Sequence, residues 1–272
     1  MPRNGFVVMN AAGCACTTFK QLRDLDNAQV SAVVTKSSTI YPRDGNTRPR
    51  YWEYPGGSIN SNGLCNLSFE KYMDYANMRP QKHPFIISLA GDPMDIKIML
   101  NYASGQTPKN TYFEVNLTCP NVQGYTEPFQ TRLHDILIFC KRNDFVIGLK
   151  MPVIFDLGEI RSVGYILNKF TAHIWYISCS NSLPNGLILD DNHDPVILGG
   201  KNGLGGIGGE YLKPFSLMNV REFASVCPNI CILGCGGISC RKDIDDYLSC
   251  GAEGVQIGTH LMKNGVECFG SL

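Results

Sequence analysis

The sequence has no surplus of charge of either sign. Its 24 Lys and Arg balance 24 Asp and Glu, for a net charge of zero. With no basic stripe and no acidic tail, nucleic acid and anionic membrane surfaces are not expected as partners. Long apolar runs are also missing. The longest are strand-sized, well short of the roughly 18 residues that suggest a membrane span. The first residues, Met1-Pro2-Arg3-Asn4-Gly5, lack the apolar core of a signal peptide, so a cytoplasmic protein is expected. Histidine is sparse, five in all and none at ligand spacing. Cysteine is not scarce: there are twelve. In a chain of this size without an export signal they read as free thiols rather than a disulfide framework. The series Cys227, Cys231, Cys235, Cys240 is the one that tempts a zinc reading. If residues 230–234 form a strand, Cys231 and Cys235 sit roughly 13 Å apart, too far to share an ion. Cys14 and Cys16 have no second pair to match. No metal site is expected.

What is present is an alternation. Short apolar runs, rich in Val and Ile, fall at 6–9, 32–35, 85–89, 112–117, 145–150, 174–178, 230–233 and 254–257. Near-continuous apolar strands of this kind suit a parallel sheet covered on both faces. Between them, apolar residues recur at helical spacing over 17–27, 68–78, 93–104, 129–141, 158–170, 215–226 and 241–249. Strand and helix in turn, eight times over, predict an α/β fold, a (β/α)8 TIM barrel in a single domain over residues 1–272. Two connections are long: 40–67 and 183–212, both rich in Gly and Asn and both following strand ends. After the eighth strand only residues 260–272 remain. A closing helix shortened or absent is therefore expected, with either a partner subunit over that face or a natural chain that continues past Leu272.

The chemistry gathers at the strand ends. The run 112–117 leads straight into Asn116-Leu117-Thr118-Cys119-Pro120-Asn121, a thiol between two carboxamides. A carboxamide donates and accepts at once, so a pair can read a planar ring of alternating C=O and N–H groups, and a thiolate beside it can take a proton. A small core cysteine reads as well on this stretch alone. Lys36 and Lys150 end two other strands. Each could snorkel to solvent, or the two could face an anionic ligand across the barrel mouth. Asn60, in the first long connection, and Asn181, after the sixth strand, add carboxamides. Gly234-Cys235-Gly236-Gly237 and Gln256-Ile257-Gly258-Thr259 follow the last two strands, where barrels commonly hold a phosphate. The run 203–209, also rich in glycine, reads equally well as plain turn. Phosphate, lysines and a carboxamide-framed thiol together suggest a flavin mononucleotide enzyme.

These motifs, with Asn10-Ala11-Ala12-Gly13, Thr35-Lys36-Ser37-Ser38, Gly57-Ser58-Ile59-Asn60-Ser61, Gly148-Leu149-Lys150-Met151-Pro152, Asn181-Ser182 and Gly205-Gly206-Ile207-Gly208-Gly209, resemble those of dihydroorotate dehydrogenases, specifically the soluble fumarate-linked class. The resemblance implies an FMN-dependent oxidation of dihydroorotate to orotate in pyrimidine biosynthesis, with fumarate as acceptor, and a homodimer or other covering subunit. It makes Cys119 the base that takes the C5 proton while hydride leaves C6, with Lys36 and Lys150 as the other catalytic residues. Asn60, Gly63, Leu64, Asn116, Asn121, Asn181 and Ser182 would hold substrate. Ala12, Gly13, Lys36, Ser37, Lys150, Gly208, Gly209, Gly236, Gly237, Gly258 and Thr259 would hold FMN. The chain departs from the family pattern at Asn62, Thr118 and Ser180, and the loop after Asn121 is shortened. The family's leading β-hairpin and closing helix are also absent, and with the altered loop they motivate an alternative, a catalytically weak or inactive barrel kept as a structural or interaction subunit.

Overall fold

The apolar runs become the wall of a barrel. In a computed structural model, residues 6–118, 127–199 and 202–272 are described. Twelve strands follow one another: β1 (Val7–Asn10), β2 (Val33–Val34), β3 (Tyr51–Tyr54), β4 (Gly57–Asn60), β5 (Phe85–Leu89), β6 (Thr111–Asn116), β7 (Ile147–Lys150), β8 (Ile174–Cys179), β9 (Leu183–Gly186), β10 (Gly205–Gly209), β11 (Cys231–Cys235) and β12 (Gly254–Ile257). Eight of them pair in the order β1-β12-β11-β8-β7-β6-β5-β2, all parallel. They match the expected apolar runs to within two residues at every end. The TIM-barrel expectation holds.

The ring closes between β1 and β2, and it closes thinly. One parallel bridge joins Met9 to Ala32. Beyond it the Asn10 side chain takes the place of a peptide group. Its Nδ2 donates to the Val34 carbonyl at 2.6 Å, and its Oδ1 accepts from the Val34 N–H at 2.9 Å. A carboxamide has a peptide's donor and acceptor, so it can complete a ladder rung that the short β2 leaves open.

Helices α1 (Phe19–Asp26), α2 (Phe69–Met78), α3 (Pro93–Ala103), α4 (Phe129–Arg142), α5 (Leu157–Asn168), α6 (Lys213–Val226), α7 (Arg241–Ser249) and α8 (Thr259–Asn264) cover the outside. Their starts are written locally. Thr18 and Gln21 form a capping box for α1, Asp92 caps α3 with Pro93 in its first turn, and Asp156 caps α5. Strand alternation then sorts the barrel's two faces. Phe113 and Val115 of β6 and Leu117 just after it join the core beneath the helices, as do Ile147 and Leu149 of β7 and Ile177 and Cys179 of β8. Val7, Met9, Val34, Ile86, Tyr176 and Leu233 fill the lumen. Among the described residues no helix is long and apolar enough to cross a membrane.

The structure adds to what the sequence showed of the two long connections. The two long connections are not merely loops. They supply β3, β4, β9 and β10, which pair antiparallel in the order β3-β4-β10-β9 as a second, four-stranded sheet. Its glycines permit close approach. A Cβ at Gly206 would lie 2.2 Å from Ser182 Oγ, and one at Gly209, where φ is +92°, would lie 2.5 Å from the Gly56 carbonyl.

Candidate active site

Between the C-terminal ends of the barrel strands and this small sheet lies a cavity of about 350 Å³. That size is within the range of small-molecule sites. Residues from many separate strand ends line it, including Ala12 and Gly13 after β1, Lys36 after β2, Asn116 at the end of β6, Lys150 at the end of β7, and Asn181 and Ser182 after β8.

The two lysines differ in their surroundings. Both are buried. The Lys150 ammonium is anchored from below: it donates to Gln256 Oε1 at 2.8 Å and to Ser178 Oγ at 3.2 Å. Among the described residues, the Lys36 ammonium has no hydrogen-bond acceptor. An ammonium at the wall of a cavity, with no acceptor among the described residues, favours an anionic ligand there.

The carboxamides are linked in two groups. Asn181 Nδ2 donates to Asn116 Oδ1 at 3.0 Å and to the Thr118 carbonyl at 2.8 Å, while its own Oδ1 accepts from the Ser182 N–H. Asn116 Nδ2 reaches Ser37 Oγ at 3.2 Å. Opposite them, Asn62 Nδ2 donates to Asn60 Oδ1 and to Cys14 Sγ, both at 3.0 Å. Burial pushes the Cys14 thiol up, and the nearby Lys36 charge offsets only part of that. Each carboxamide is therefore fixed by neighbours before any ligand arrives.

The other end of the cavity is built from glycines. Gly208 and Gly209 of β10 meet Gly236 and Gly237 after β11 and Gly258 and Thr259 after β12. Gly237 has φ +62°, and a Cβ there would be 2.9 Å from the Gly209 carbonyl and 2.7 Å from Lys213 Cβ. Lys213 itself turns its ammonium to Asp243 and Asp246. Burial alone would raise the Asp243 carboxyl. Bonds from Lys213, Ser239 and Cys240 outweigh it and hold that carboxyl well below the usual carboxylate range. Ser58 Oγ and Thr259 Oγ1, 2.9 Å apart, pin the small sheet to the glycine end.

Nearly all the residues expected from the sequence meet in this one cavity: Ala12, Gly13, Lys36, Asn60, Gly63, Leu64, Asn116, Lys150, Asn181, Ser182, Gly208, Gly209, Gly236, Gly237, Gly258 and Thr259. Ser37 is set back; its hydroxyl lies 3.0 Å from Ser88 Oγ and accepts from Asn116. Cys119 and Asn121 lie outside the described residues. Tyr51, Glu210, Gln256, His260, Met262 and Lys263 line the cavity without having been expected. Tyr51 and Glu210 arrive with the small sheet; the Tyr51–Asn60 hairpin about Pro55-Gly56 is a local pattern, while the pairing that adds β9 and β10 is not. Gln256 belongs to the motif Gln256-Ile257-Gly258-Thr259, so its position in the sequence did carry a signal.

A family model described as dihydroorotate dehydrogenase matches residues 4–272. A probable dihydroorotate dehydrogenase A (fumarate) of Enterococcus faecalis is 38% identical over 270 residues, covering 97% of this chain and 86% of the relative. Dihydroorotate dehydrogenase (fumarate) of Saccharomyces cerevisiae is 39% identical, with 96% and 85% covered. The Trypanosoma cruzi enzyme of that name is 36% identical, also with 96% and 85% covered. Among solved structures, a dihydroorotate dehydrogenase of Eimeria tenella in complex with ferulenol superposes with a TM-score of 0.74 at 15% identity, over 97% of this chain and 78% of the other, a likeness of fold.

Proposed function

The chain belongs to the dihydroorotate dehydrogenase family, and on that premise we propose which of its residues carry out the oxidation of dihydroorotate to orotate on a bound flavin, with fumarate as the electron acceptor. The flavin we propose is FMN. The donor set supports it: the anchored Lys150 ammonium lies at one end of the cavity, and glycines that leave the backbone open to a close approach lie at the other. Gly236, Gly237, Gly258 and Thr259 would hold the phosphate through backbone N–H groups. Lys150 would face the pyrimidine edge of the ring. A bound FMN supplies the hydride acceptor.

The remaining work falls to the chain. Lys36 would pair with the substrate's carboxylate. Asn60, Asn116, Asn121 and Asn181 would read the ring's C=O and N–H groups and fix its orientation. Cys119 would take the C5 proton as a thiolate. We place the enzyme in the cytoplasm and expect a homodimer or another subunit on the barrel's outer face, which sedimentation of the purified protein tests. The family relationship does not favour the alternative of a barrel kept only as a structural subunit.

The single observation that carries these assignments is the pair of buried lysines around one carboxamide-lined cavity, one of them without a protein acceptor among the described residues. Titration of the flavin-loaded protein with orotate tests them. Lys36→Met is expected to weaken orotate binding at least tenfold while leaving the protein folded. Orotate affinity unchanged in that variant would remove Lys36 from the site.

A further inference from the structure

Below Lys150, inside the barrel, lies a buried polar chain that the proposed chemistry does not use. Gln256 Oε1 accepts from Lys150 Nζ at 2.8 Å and from Ser178 Oγ at 2.8 Å. Gln256 Nε2 donates to Glu114 Oε2 at 2.7 Å, and the Tyr176 hydroxyl donates to the same oxygen at 2.9 Å. Glu114, Tyr176, Ser178 and Gln256 are all fully buried. Gly148 makes room for them, since a Cβ there would lie 2.4 Å from the Tyr176 ring.

The arrangement fixes each group's role. A lysine can only donate and a carboxylate can only accept, so the Gln256 carboxamide has one workable orientation, with Oε1 toward Lys150 and Nε2 toward Glu114. A carboxylate bonded directly to Lys150 would draw the ammonium down and cancel its field at the cavity. A glutamine between them satisfies both charges while keeping them apart. Two of the three ammonium hydrogens are taken up below, which leaves the third for the cavity. Among the described residues Glu114 Oε1 has no hydrogen-bond partner, so the carboxylate's contacts all run through Oε2.

We propose that Gln256 is a positioning residue that holds the Lys150 ammonium charged and aimed into the cavity, with Glu114 as its counter-charge at one remove. The inference rests on the reading that the cavity binds a flavin. It implies that the pair sets how strongly the site stabilises the anionic reduced ring.

Two variants of matched size test it, read by the midpoint potential of the bound flavin. Glu114→Gln removes the negative charge, keeps an acceptor for Gln256 and Tyr176, and is expected to raise the potential. Gln256→Met removes the acceptor of a buried ammonium, which disfavours its charged form, and is expected to lower the potential. Each shift is expected to be tenfold or more in the reduction equilibrium, about 30 mV for a two-electron couple. A purely structural role would lower the melting temperature without moving the potentials in opposite directions. Flavin-loaded variants whose potentials stay put, or move the same way, overturn this inference alone. A wild-type protein that takes up no flavin overturns the reading it rests on as well.

Discussion

Asn10 offers the sharpest test of how the barrel is closed. Its side chain is fully buried and completes the β1–β2 seam through two bonds to the Val34 backbone. Asn10→Ala would strand a buried N–H and a buried C=O at once. Each such group costs about 1–3 kcal/mol when left unpaired, so the pair should cost about 2–6 kcal/mol. At roughly 2–4 °C per kcal/mol for large single domains, melting should fall by at least about 4 °C. Asn10→Asp has nearly the same shape, but one carboxylate oxygen would face the Val34 carbonyl, so it should melt no higher than the alanine variant. Thermal unfolding followed by circular dichroism, with both variants at matched flavin loading, measures this. An alanine variant that melts within about 1 °C of wild type would show that other pairing closes the seam and that the rung is dispensable.

Other outcomes follow from the site and its surroundings. Gly237→Val should release the flavin, because its φ of +62° and the 2.9 Å approach to the Gly209 carbonyl leave no room for a side chain; the flavin content of the purified variant measures it. Cys119→Ala should keep flavin but lose its reduction by dihydroorotate, and wild-type activity should rise with pH as the thiol ionises. Rapid mixing of Cys119→Ala with substrate at the wild-type rate would remove Cys119 from its role. The Asp243 carboxyl is held below its unfolded value, so its contribution to stability is present above about pH 4 and lost as pH falls below that. Asp243→Asn should therefore flatten the acid limb of the stability–pH curve, measured by urea unfolding at stepped pH.

The barrel was legible because its strands and helices are local patterns. Residues 85–89 and 254–257 read as strands on their apolar content and proved to be β5 and β12. The half of the small sheet made by β9 and β10 was not legible, for a physical reason. Those two strands read Gly205-Gly206-Ile207-Gly208-Gly209 and Leu183-Pro184-Asn185-Gly186, compositions that favour turns when taken alone. They become strands through pairing across long sequence distances, as Ile207 does with Ile59. Most site residues were visible as motifs at strand ends. Glu114 was visible only as part of a strand, because its contacts are with β8 and β12, and a lumen network exists only once the barrel has closed. Ser37 shows the opposite limit: a residue inside a motif need not present its side chain to the cavity.

The most direct measurement is an anaerobic spectrum of the purified protein before and after dihydroorotate is added, followed by fumarate. A visible flavin absorbance that bleaches with dihydroorotate and returns with fumarate is the predicted result. A protein that binds FMN yet keeps its spectrum unchanged with dihydroorotate would contradict the account.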